Sequence, residues 1–158
     1  MKTVQSQVAM AELLPMIEES FRQGMTVTLG VTGNSMLPLF RHGRDSVILS
    51  ACDPTALRRG DVPLYRRPDG RFILHRILWV KKDTYTLAGD AQQELERGLP
   101  KNCVLAVMTG FVRKGKTVSC RNVWYRLYSA LWMLVRPIRP FLIRVGSRMW
   151  RWWKREGK

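Results

Sequence analysis

Three residue types, met in one order along the chain, point to acyl-transfer chemistry: a serine, a histidine and carboxylates. Ser35 lies in Gly33-Asn34-Ser35-Met36-Leu37-Pro38, a turn-like segment between two β-type runs. Next come Gly60-Asp61-Val62 opening a strand, His75-Arg76 inside a long apolar run, Gly89-Asp90 closing another, and Glu96 shortly after. A serine hydroxyl is a weak nucleophile until a base takes its proton. A neutral imidazole, with an ordinary pKa of ~6.5, does so at pH 7, and a carboxylate fixes its tautomer. Of the two histidines, His42 sits between Arg41 and Gly43 and reads as solvated turn. His75, within Arg71 to Val80, also has a bland reading, an imidazole satisfied by a backbone carbonyl in a half-buried strand. The chemistry turns on whether Ser35 and His75 meet.

Metal and cofactor chemistry find no support. Cys52, Cys103 and Cys120 are odd in number and form no C-x-x-C pair, so neither a disulfide framework nor a four-ligand zinc site is indicated. They read as reduced thiols in a cytosolic setting, with no metal and no cofactor called for.

The ordered set resembles the signal peptidase I superfamily, which also contains the LexA-type self-cleaving repressors. The Ser-Met-x-Pro box is similar to Ser35 to Pro38, the Gly-Asp-hydrophobic box to Gly60 to Val62, the base-bearing strand to Ile73-Leu-His-Arg-Ile77, and the second Gly-Asp box to Gly89-Asp90. The resemblance covers roughly residues 26 to 113. Housekeeping bacterial signal peptidases and LexA-type proteins use a Ser/Lys dyad, whereas the archaeal and endoplasmic-reticulum branch has His followed by Arg at the base position. His75-Arg76 resembles that Ser/His branch, and Asp90 and Glu96 fall where its two acidic catalytic-site positions would. The resemblance implies a serine endopeptidase with Ser35 as nucleophile, His75 as general base and Asp90 or Glu96 orienting the imidazole. It also implies an extended peptide or protein substrate with small residues such as Ala just before the cut and two residues earlier. Three departures stand out. Gly33 replaces a serine that often helps hold the oxyanion, Glu96 replaces an aspartate, and the usual N-terminal transmembrane anchor is missing.

The elements that must position these residues are legible from periodicity. Val8, Leu13, Leu14, Ile17 and Phe21 predict an amphipathic helix over residues 5 to 22, interrupted near Pro15, with Gly24 as a stop. Short β-type runs follow near 26–32, 46–50, 62–66, 71–80, 84–88, 103–107 and 109–119. Pro68-Asp69-Gly70 between two of them is the clearest hairpin turn, since Pro presets φ and Gly accepts a positive one. The expected architecture is mainly β: a signal-peptidase/LexA-like catalytic domain over 25–120, an N-terminal helix over 1–24 and a C-terminal amphipathic helical tail over 121–158.

The charge is concentrated in that tail. The chain of 158 residues carries a formal net charge of +15, yet residues 121–158 hold ten basic residues against Glu156 alone, together with five of the six Trp. The run Val123–Val135 is shorter than the ~20 residues a bilayer span needs. Beyond Arg136-Pro-Ile-Arg-Pro140, Arg144, Arg148, Arg151 and Arg155 form a cationic stripe opposed by Phe141, Val145, Met149 and Trp152. A basic stripe beside a Trp-rich face is the composition of a helix lying in a membrane interface. This partition favours an anionic membrane surface over nucleic acid as the tail's partner, and a cytoplasmic protein held peripherally at the membrane. Two other readings are open: the tail packs on its own domain, or the β body is catalytically inactive and the protein only binds a membrane surface or an anionic polymer. A LexA-type regulator fits less well, because about thirty residues precede Ser35, too few for a helix-turn-helix domain.

Overall fold

Strict alternation builds the sheet. In β2 (Asp45–Ser50), Val47 and Leu49 are buried while Ser46, Ile48 and Ser50 are half-exposed, the signature of a strand with one face on a core. The computed structural model describes residues 2–138, with side chains from residue 10 onward. After helix α1 (Lys2–Arg22) come β1 (Val27–Gly30), β2, β3 (Pro63–Arg66), β4 (Phe72–Leu74), β5 (Arg76–Val80), β6 (Thr84–Ala88), β7 (Glu96–Pro100), β8 (Val104–Arg113), β9 (Lys116–Ser119) and helix α2 (Val123–Leu134). The described residues are mainly β, as the alternation predicts.

All pairings are antiparallel, and they form two sheets. One runs β1-β2-β8-β3-β4, with β9 folding back on β8; the other runs β5-β6-β7. Strand β3 is buried on both faces. Leu64 joins a core with Met36, Phe40, Val47, Leu49 and Phe111, over which Leu14 and Phe21 of α1 pack. Tyr65 turns to a second core with Ile77, Tyr85, Leu87, Leu99 and Val104, shared with the smaller sheet. Truncating any of these large side chains to Ala costs roughly 2–5 kcal/mol.

Several elements differ from the periodicity. Helix α1 is assigned through Pro15 without interruption; proline removes one N–H, a loss that packing of Ile17 and its neighbours offsets. The two runs expected at 103–107 and 109–119 are instead one ten-residue strand, β8, turning at Lys114-Gly115 into β9; both turn residues adopt positive φ. Most consequentially, the run 71–80 is not one strand. It breaks at His75, where the chain leaves the large sheet and enters the small one.

Candidate active site

The Ser35 loop is held at both ends. Met36, Leu39 and Phe40 are sunk in the first core, and the Phe40 N–H donates to Met36 O in a tight turn. The Arg113 guanidinium donates to Leu39 O and to Asp45, whose carboxylate also accepts from Arg44 and the Arg41 N–H. Burial works against the Asp45 charge, but those hydrogen bonds prevail and hold its carboxyl well below the usual range. Ser35 itself is half-buried.

Gly89 lets the serine approach. The Ala91 N–H donates to Ser35 O at 2.8 Å, and a Cβ at position 89 would stand 2.5 Å from Ser35 O and 3.0 Å from Ser35 Cβ. Only glycine leaves that space. Gly89 directly follows Ala88, and His75 directly precedes Arg76, its partner across the β5–β6 ladder. His75 and Gly89 are therefore the residues that flank the paired ends of β5 and β6. Among the described residues, no hydrogen bond joins Ser35 Oγ to His75. Ser35 is thus tied to the end of β6 through Gly89 and Ala91, and His75 to the start of β5 through Arg76, the residue paired with Ala88.

His75 is buried, and its ring is oriented by groups that local motifs do not reveal. Tyr65 Oη stands 3.1 Å from Nδ1 and donates to Glu96 Oε2 at 2.6 Å, while Arg67 grips the same carboxylate through Nε at 2.7 Å and Nη2 at 2.5 Å. The phenol has a single hydrogen. Since Glu96 receives it, the Tyr65 oxygen accepts from Nδ1–H, and Nε2 carries the lone pair. Burial pushes the His75 pKa down to about 4; Arg67 and Arg136 reinforce this, and Glu96 and Asp90 oppose it. Burial also disfavours the Glu96 carboxylate, but the hydrogen bonds from Arg67 and Tyr65 outweigh it and lower its pKa. The result is a neutral imidazole at pH 7, locked in the tautomer a general base requires.

Asp90 is held by Arg76. Its two oxygens accept from Arg76 Nε at 2.8 Å and Nη2 at 2.7 Å, with both side chains almost wholly buried. Arg76 Nη1 also donates to Gly60 O at 3.0 Å and to Ser129 Oγ of α2 at 2.6 Å. The Gly60-Asp61-Val62 box is thus a clasp: Gly60 N–H donates to Ile77 O, and Ile77 N–H to Asp61 O, both at 2.9 Å. Both acids act on the histidine's charge, but Glu96 is joined to it through Tyr65 while the Asp90 oxygens are engaged by buried Arg76. Gly33, at φ +86°, lies where glycine is favoured. His42 is in an exposed turn, and burial pushes the Cys52 and Cys120 thiols up to about 11.

No family model, curated protein or solved structure matches the chain. The resemblance to signal peptidases therefore rests on the sequence boxes.

Beside the Ser35 loop opens a groove of about 750 Å³. Leu37 and Pro38 wall one side, Asp90 to Gln93 another, and Trp132 to Leu134 of α2 a third. Helix α2 is fastened there: Trp132 Nε1 donates to Asp90 O at 3.2 Å and Arg136 Nη2 to Gln93 O at 3.1 Å. The first tail run thus packs on the domain, with Tyr125 and Ser129 buried. The cationic stripe Arg144, Arg148, Arg151 and Arg155 and its opposed face lie outside the described residues. No described helix is long and apolar enough to cross a membrane, and no cluster of three potential metal ligands occurs among the described residues.

Proposed function

We propose that the chain is a serine endopeptidase of signal-peptidase type, acting on an extended peptide with small residues before the cut. His75 Nε2 takes the Ser35 Oγ proton as Oγ bonds to the scissile carbonyl carbon. The imidazolium returns that proton to the leaving amine as the C–N bond breaks, and water, activated in the same way, hydrolyses the Ser35 ester. Glu96 stabilises the transient imidazolium through Tyr65. The observation that carries this reading is the buried, neutral His75 with Nδ1–H committed to Tyr65, at the start of the strand whose partner ends beside the Gly89 that admits Ser35. Edge strand β1, which among the described residues pairs only with β2 and leads into the Ser35 loop, suits addition of an extended substrate. Hydrogen bonds between catalytic groups commonly tighten only with substrate bound.

A competing reading, an inactive relative that binds only a membrane surface or an anionic polymer, is favoured by the missing Ser35–His75 hydrogen bond. Cleavage of a peptide with Ala at both preferred positions separates the two. Wild type should cleave, and Ser35→Ala and His75→Ala should not. Equal behaviour of all three proteins sinks the peptidase.

A further inference from the structure

Helix α2 has two apolar faces, and among the described residues only one is packed on the domain. Tyr125, Ser129 and Trp132 dock it on the domain through hydrogen bonds to Arg76 and Asp90, which fixes its rotation. On the outward side, Trp124, Leu127, Leu131 and Leu134 follow at steps of three, four and three, and their exposures run from 49% to 76%. The stripe continues to the groove: Leu134 lines its wall together with Trp79 of β5, which is itself 51% exposed. A contiguous exposed apolar surface of this kind marks an interaction site.

Charge identifies the occupant. Helix α2 contains no acidic residue, exposed Arg121 and Arg126 flank the stripe, and the chain from 121 onward carries ten basic residues against one acidic. An apolar, Trp-bearing helix face among cations matches an anionic lipid surface, where rings and leucines enter the acyl boundary and arginines meet headgroups. We propose that the outward face of α2 seats the protein on an anionic membrane, holding the mouth of the groove beside Ser35 at the lipid–water boundary. This inference is independent of the peptidase reading, because membrane binding is measured without any cleavage.

The test is flotation of the full chain with vesicles of phosphatidylcholine alone or mixed with phosphatidylglycerol. Wild type should float with the mixed vesicles only, less so at high salt, and Leu127→Ser/Leu131→Ser/Leu134→Ser should bind at least about tenfold more weakly. Trp124→Ser/Leu127→Ser, at exposed positions away from the groove, gives the same reading should the triple variant fail to fold. Hydrogen exchange should slow on vesicle binding at residues 131–138 and around Trp79, and stay unchanged at Lys114-Gly115. Unaltered binding by the variants overturns the proposal. So does wild type that ignores anionic vesicles but forms a dimer that the variants break, or that binds a DNA oligonucleotide instead.

Discussion

Tyr65 Oη lies 3.1 Å from Nδ1 of His75 and spends its own hydrogen on Glu96. That relationship orients a buried strand-end imidazole and leaves Nε2 for the proposed base. Tyr65→Phe keeps the ring but leaves Nδ1–H buried without an acceptor, a loss of about 1–3 kcal/mol. Cleavage should fall on the order of 10²-fold in kcat/KM, with far-UV circular dichroism unchanged. Unchanged kcat/KM would mean that another group sets the tautomer.

The pH dependence follows from the depressed pKa of His75. Folded His75 titrates at about 4, below its ordinary 6.5, so the unfolded chain binds more protons between those values. The contribution to stability is complete above pH ~6.5 and is lost as pH falls toward 4, amounting to about 3 kcal/mol. Urea unfolding of wild type should show this slope, and His75→Gln should lack it. The acidic limb of kcat/KM should likewise lie near the folded value of about 4; a limb near 6.5 contradicts the burial of the base.

The two acids should separate by readout. Glu96→Gln removes the negative charge that supports the imidazolium, so kcat/KM should drop by roughly 10–10²-fold with the acidic limb displaced further down. Asp90→Asn breaks the buried pair with Arg76, so its leading effect should be destabilisation of about 3–5 kcal/mol in urea. The reverse assignment would show as an acidic limb moved by Asp90→Asn and left in place by Glu96→Gln.

At Gly89 the prediction is steric. A Cβ there meets Ser35 O at 2.5 Å and Gln92 Oε1 at 2.8 Å, so Gly89→Ala must push the serine loop outward. Activity should fall on the order of 10²-fold, because misplacing a nucleophile by about 1 Å has that effect.

What could be read from the sequence was what local rules encode. Ser35 in a turn, Gly89 at a strand end and the Pro68-Asp69-Gly70 hairpin all follow from the demands of single residues on φ or space. The orienting set Tyr65, Arg67 and Glu96 could not be read that way, because it brings the end of β3 together with β7 of the other sheet. Part of it was within reach. The hairpin pairs Tyr65 with Ile73, so Tyr65, Arg67, Ile73 and His75 share one sheet face by alternation, two of them the tyrosine and the histidine now found in contact. The break of the run at His75 gave no local signal, since Arg71 to Val80 reads as uninterrupted apolar strand and only the pairing of Arg76 with Ala88 pulls it into the second sheet. The tail was legible in composition but not in placement: Trp132 reads as interfacial, yet its indole is fastened to Asp90 O.

The central claim is that Ser35 is acylated with His75 as its base. Incubation with an activated ester of an N-acylated alanine, followed by intact mass and peptide mapping, tests it directly. The account predicts a single acyl adduct on Ser35, absent in Ser35→Ala and formed at least about 10³-fold more slowly in His75→Ala. An adduct on another residue, or acylation of Ser35 at an equal rate without His75, would contradict it.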